Sequence, residues 1–313
     1  MDFAFPIGME PSDPGKRFRR LLLPVGGKVS GEFVLDRADP LLGRPGIEVT
    51  VLTVIEVSGP RAGTPEYRAD PRHQDRIDRA EAVRRALAAR GILANTQVRF
   101  GDPAREIVRE AEGTDRDLIL MGTRGRTDMQ RLFLGSVAPA VLQRTRLPVL
   151  LFPIRGSATS PPPRFRRIFV PLDGTEGSVL ILRPLLTLAR DFDSEVCLSM
   201  TVYSPVNTRP WRKAARFLEE TAARISGTGL KVTTEILPGD PGAQVVSATH
   251  RGFDAVAMAT NARTPLGAVL WGSETAHVVS KVTVPVLAVA RRREHSGRGT
   301  APVVPRVLSS TPP

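Results

Sequence analysis

Asp117-Leu-Ile-Leu-Met-Gly-Thr-Arg-Gly125, then nine residues, then Gly135-Ser136-Val137, decides the architecture of this chain. The apolar run Leu118–Met121 has the length of a buried strand, and Val137-Ala-Pro-Ala-Val-Leu-Gln143 carries a helical pattern. A strand that stops at glycines and re-enters a helix leaves backbone N–H groups unpaired at one point. Those donors, with the positive end of the helix macrodipole, suit a phosphate. Glycine fits this task because a side chain would block close approach. It would also disfavour the positive φ that aims successive N–H groups at one anion. The segment is a candidate phosphate cradle.

The same pattern occurs a second time. Residues 258–290 repeat residues 121–153, with the Gly-Ser pairs at 135–136 and 272–273 and the Pro-Val-Leu triplets at 148–150 and 285–287, each offset by 137 positions. Gly101-Asp-Pro103 matches Gly239-Asp-Pro241 at an offset of 138, and Leu-Pro-Val at 23–25 matches Val-Pro-Leu at 170–172 at 147. The first half therefore carries about nine extra residues, mostly between the second strand and the Gly-Asp-Pro turn. A repeat this long is a duplicated domain, since solenoid units recur every 20–50 residues or so.

Composition agrees with two globular domains in 313 residues, at 41% apolar and 24% charged. No apolar run approaches the roughly 18 residues needed to span a membrane, and the N-terminus lacks a signal-peptide pattern. The single cysteine, Cys197, lies in the apolar alternation Val196–Val202 and reads as a buried strand thiol, which fits a reducing cytoplasm. The net charge of +12 comes mainly from dispersed arginine, with short clusters at 17–20, 164–167 and 291–293. Aromatics are only 5% and do not interleave with these clusters, so nucleic acid is disfavoured as a partner.

Residues 1–16 have no periodicity and read as a disordered N-terminus. The first domain spans 17–153, a Pro/Ser linker spans 154–165, the second domain spans 166–291, and 292–313 reads as a disordered tail. In the first domain, strands are expected at Arg20–Val25, Ile47–Ile55, Thr96–Phe100, Leu118–Met121 and Val149–Phe152. An amphipathic helix is expected over Asp75–Arg90. Asp102 and Asp240 each precede a proline and should N-cap helices. Strands alternating with helices imply an α/β fold with a mostly parallel sheet, whose ligands bind beyond the carboxyl ends of strands where strand order reverses.

These residues, in this order and twice over, resemble the universal stress protein family in tandem form. The supporting pattern is the opening strand ending in Pro-Val or Pro-Leu, the Gly-Asp-Pro turn, G-x2-G-x9-G-S and the closing Pro-Val-Leu strand. The resemblance implies two flavodoxin-like, Rossmann-like domains, each a five-stranded parallel sheet in the order 3-2-1-4-5 with helices on both faces. It implies ATP or another adenine nucleotide as ligand, no metal of its own, and pairing through the last strand. In a tandem chain such pairing makes an intramolecular pseudo-dimer, and it leaves a homodimer of whole chains open.

Carried over residue by residue, the resemblance places a nucleotide site in the first domain at Pro24, Val25, Val54, Met121, Gly122, Gly125, Gly135, Ser136 and Val137. The acidic position expected to hold the ribose is Gly26 here. Arg124 and Arg126, standing in the loop, could add charge-assisted contacts to phosphates. The second domain keeps the carboxylate as Asp173, with Gly272 and Ser273, but has Ala259 and Ala262 at the first two glycine positions. If those positions are left-handed, each alanine costs about 1–2 kcal/mol. Asp173 also reads as a cap or turn residue bonded to nearby backbone.

The expectation is a stress-response binding protein that holds adenine nucleotide weakly, mainly through the first domain, while the second is mainly structural. The alternatives are a nucleotide-independent interaction scaffold and an enzyme of the wider nucleotide-binding α/β group. The histidines His73, His250, His277 and His295 lie in separate segments without metal-ligand spacing, and no catalytic constellation is recognisable. Any ATP hydrolysis is expected to be slow and incidental.

Overall fold

A computed structural model of the protein describes residues 17–26, 30–57, 64, 70–124, 136–154, 162–203, 208–261 and 281–291. The first half contains β1 (Arg20–Val25), α1 (Ser30–Leu42), β2 (Glu48–Ile55), α2 (Gln74–Ala89), β3 (Leu93–Phe100), α3 (Pro103–Gly113), β4 (Leu118–Arg124), α4 (Val137–Arg144) and β5 (Val149–Ile154). The second contains β6 (Arg167–Leu172), α5 (Glu176–Val179), α6 (Leu182–Phe192), β7 (Glu195–Val202), α7 (Arg209–Ser226), β8 (Lys231–Pro238), α8 (Pro241–His250), β9 (Ala255–Asn261) and β10 (Val286–Arg291).

All ten strands form one sheet in the order β3-β2-β1-β4-β5-β10-β9-β6-β7-β8. Within each half the order is 3-2-1-4-5 and every pairing is parallel. The halves meet antiparallel, with Val149, Leu150 and Leu151 facing Ala288, Leu287 and Val286. Each half thereby covers the edge strand of the other, which removes two template edges for unwanted pairing. One apolar layer on each face of the sheet draws residues from both halves: Leu21, Leu23, Leu150, Ile168 and Leu287 on one, Leu22, Ile119, Leu151, Phe169 and Val286 on the other. The alternation of adjacent residues between layers follows from the two-residue period of a strand.

A second contact joins the halves. The Arg17 guanidinium lies 3.3 Å from the buried Asp191 carboxylate at the end of α6, and Arg44 stacks over Phe192, 4.6 Å from its centroid. Burial pushes the Asp191 carboxyl above its ordinary range, with Arg17 and Arg44 pulling it back.

The repeated Gly-Asp-Pro turn has a direct physical explanation. Gly101 and Gly239 have φ of 147° and 95°, outside the comfortable range of other residues. Asp102 accepts from the Arg105 N–H at 2.9 Å and Asp240 from the Ala243 N–H at 2.7 Å, each followed by proline at the first helical position. The offset between halves is 147 at β2 and β7 and 138 at β3 and β8, so the extra residues fall where the sequence placed them.

Several expectations need correction. Helix α1 was not anticipated, although Val34, Leu35, Ala38, Leu41 and Leu42 make its buried stripe; Pro40 inside it hides the pattern. Strand β4 does not stop at Met121 but pairs with β5 through Gly122, Thr123 and Arg124. The expected linker is shorter at both ends: Ile154 closes β5, while Phe165 is fully buried and tilts against Phe192 at 4.9 Å. The two disordered termini foreseen at 1–16 and 292–313 lie outside the described residues.

Candidate functional site

In each half two central strands part company early. The ladder between β1 and β4 runs only through Leu21↔Leu118 and Leu22↔Ile119, whereas β1 stays paired with β2 as far as Val25↔Thr53 and β4 with β5 as far as Arg124↔Ile154. The carboxyl ends of β1 and β4 therefore diverge, at the point where the strand order reverses. This is the crevice in which open α/β sheets hold ligands.

Pro24 and Val25 line the β1 side, with Val25 mostly buried, and exposed Gly26 follows. A side chain at Gly26 would meet no atom within 4 Å, and its φ is not left-handed. Met121 and Gly122 stand on β4 opposite. Ser136 is exposed at the N-cap of α4, its hydroxyl makes no capping hydrogen bond, and Val137 begins the helix. Val54, at the end of β2, is nearly buried, and its carbonyl accepts from Arg76 Nη1 at 3.3 Å. Gly125 and Gly135, the rest of the expected cradle, lie outside the described residues, as do Arg126, Gly272, Ser273 and Ala262.

Gly122 does not take the left-handed backbone expected of a cradle glycine. It is extended within β4, and the absence of a side chain serves packing: a Cβ there would lie 2.9 Å from Ile154 Cδ1 and 3.2 Å from Val34 Cγ2. Its counterpart Ala259 is extended within β9 and packs on the core, so the left-handed penalty does not apply to it. Arg124 is likewise the last residue of β4 and not part of a loop.

The second half opens in the same way. The β6–β9 ladder stops at Phe169↔Val256, while β6 remains paired with β7 to Leu172↔Met200. Asp173 follows β6 at the mouth of this opening. Its Oδ1 accepts from the Thr175 N–H at 3.0 Å and from Thr175 Oγ1 at 2.6 Å; its Oδ2 accepts from Arg291 Nη1 at 2.7 Å. Burial pushes this carboxyl up, but the bonds from Arg291 and Thr175 together outweigh it and hold the group below its ordinary range. A cap or turn role was one of the two sequence readings of Asp173, and Thr175 is the partner it finds; Arg291, 118 positions away, had no local signal.

A carboxyl with a depressed folded-state pKa contributes stability above its unfolded pKa and loses it as pH falls through the folded value. Asp173→Asn should therefore be less stable than the parent at neutral pH, by no more than about 1 kcal/mol because the pair is half exposed. That gap should close below about pH 4. Urea unfolding of both proteins across pH measures it, and a gap that does not change with pH would contradict this account.

A second charged set is structural. Buried Glu110 accepts from Arg99 at 2.6 Å, and Asp117 and Asp254, at equivalent positions, accept from the backbone N–H groups that open β1 and β6. Burial pushes the Cys197 thiol up to about 11, helped by Glu235, so it is protonated and inert. Among the described residues no group of three or more His, Cys, Asp or Glu side chains could hold a metal, and no helix is long and apolar enough to cross a membrane.

The chain is similar to known proteins in sequence and in fold. A universal stress protein of Methanocaldococcus jannaschii, MJ0531, is 29% identical over 138 residues, 43% of this chain and 81% of its own. The solved universal stress protein of Archaeoglobus fulgidus DSM 4304 aligns over 87% of this chain and 98% of its own, at 22% identity and a TM-score of 0.70, a likeness of fold across both halves. A universal stress protein solved in complex with cAMP aligns over 41% of this chain and 98% of its own, at 18% identity and a TM-score of 0.34. The sequence model of the Universal stress protein family matches twice, over residues 17–153 and 164–290, so the chain belongs to that family as a tandem of two such domains.

Proposed function

We propose that the protein binds an adenine nucleotide such as ATP, weakly and mainly through its first domain, as a regulatory component of a stress response. The observation that carries this reading is the parting of β1 from β4 beside the Ser136 end of α4. In this reading the nucleoside would lie between the diverging strands, and its phosphates would reach the positive end of α4, where backbone N–H groups have no intrahelical partner. Gly26 offers no carboxylate to the ribose, which is why the affinity is weak. No residue is assigned a catalytic role, and no metal is required of the protein.

A nucleotide-independent scaffold is the second reading. Gly26 favours it in the first domain, and the engaged Asp173 favours it in the second. Ser136→Asp separates the two. Aspartate is as good an N-cap as serine and suits the helix dipole, so the fold is retained, while its charge opposes a phosphate. Titration with labelled ATP should show binding weakened at least tenfold, with adenosine affected much less. Superimposable ATP curves for parent and variant would reject the nucleotide reading.

A further inference from the structure

The two crevices differ by one matched exchange. The first has Gly26 after β1 and Ile154 at the end of β5; the second has Asp173 after β6 and Arg291 at the end of β10. Arg291 reaches from the far side of β9 to the mouth of the β6–β9 opening. Nη1 contacts Asp173 Oδ2 at 2.7 Å and Thr175 Oγ1 at 3.2 Å, and the side chain is only 15% exposed. Its stem is seated by a missing side chain: a Cβ on Gly177 would lie 2.8 Å from Arg291 Cδ and 3.2 Å from Nε. Ala259 stands where the first half has Gly122, and β10 carries no isoleucine there to crowd it.

From this geometry we infer that Arg291 latches the second crevice shut, by occupying the carboxylate that would otherwise accept hydrogen bonds from a ligand's vicinal diol. The inference rests on the reading of these crevices as nucleoside sites. With Thr175 and Arg291 in place, Asp173 already accepts three hydrogen bonds and has one acceptor position left, on Oδ2, so a vicinal diol offering two hydroxyls must displace the charged donor Arg291 to pair both. The second domain is then silent because of this pair, not because of its alanines. Ligands of the ribonucleoside class are the ones it would admit once the pair is parted.

The test uses the full chain and adenosine, which has the diol but no phosphate for Arg291 to attract, with 2′,3′-dideoxyadenosine as the control. Arg291→Ala removes the latch; Gly177→Ala keeps the charge but dislodges the stem, and alanine is a better helix residue than glycine. By calorimetry each variant should gain an adenosine site at least tenfold tighter than anything the parent shows beyond its first. The gain should vanish with the dideoxy compound and when Asp173→Asn is added. No gain in either variant, or a gain indifferent to Asp173 and to the diol, overturns the inference. The parent's own binding is the baseline, so the first-domain reading fails on the Ser136→Asp comparison and this one on the Arg291 and Gly177 variants.

Discussion

Leu287→Asp is expected to remove at least about 4 kcal/mol of stability, a large fraction of what a folded chain of this kind possesses. Leu287 is 1% exposed, faces Leu150 across the antiparallel junction of β5 and β10, and belongs to an apolar layer shared by both halves. Truncating a buried leucine costs about 2–5 kcal/mol, and an unpaired carboxylate in its place adds desolvation. Because the sheet and both of its apolar layers run through the junction, the parent should unfold in one calorimetric transition. The variant should melt roughly 10 °C lower or more, and in two resolved steps. Leu93→Asp on edge strand β3 is the control: Leu93 is 67% exposed, and its change should stay within about 0.5 kcal/mol. Two transitions already in the parent, or equal losses at Leu93 and Leu287, would show that the halves do not depend on each other.

Most of what depends on local pattern was legible in the sequence. Leu21–Val25 of β1 read as an apolar run because the strand is covered on both faces, and the two Gly-Asp-Pro turns announce capped helices because the cap and the proline are adjacent. The duplication, through the family resemblance, implied the strand order of each half and a pairing of the two halves through their last strands; that β5 and β10 meet antiparallel comes from the structure. What failed was what depends on partners distant in sequence. Gly122 reads as a phosphate-cradle glycine because glycine is the same letter whether it frees φ or clears space. Only the arrangement of Val34 and Ile154 around it reveals that here it clears space. Arg291 could be read only as one of a short basic cluster, since nothing nearby says that its partner is Asp173. Helix α1 was hidden by a proline that its last turn tolerates.

Gly26→Asp is the change expected to alter ligand binding most. Gly26 occupies the first-domain position that Asp173 occupies in the second, its backbone is outside the left-handed region, and a Cβ there would touch nothing within 4 Å. Aspartate can therefore enter without strain. A hydrogen bond from a ribose hydroxyl to a carboxylate contributes about 1.5–3 kcal/mol, which is about tenfold to a hundredfold in affinity. The new carboxylate would also escape the fate of Asp173, because the register of Arg291 is filled here by Ile154, which cannot neutralise it. Calorimetric titration should show the gain for adenosine and ATP alike, since the carboxylate answers the sugar and not the phosphates, and no gain for 2′,3′-dideoxyadenosine. An unchanged affinity for adenosine would mean that the sugar does not sit beside the end of β1. The first-domain assignment would then be wrong even if ATP still binds elsewhere on the chain.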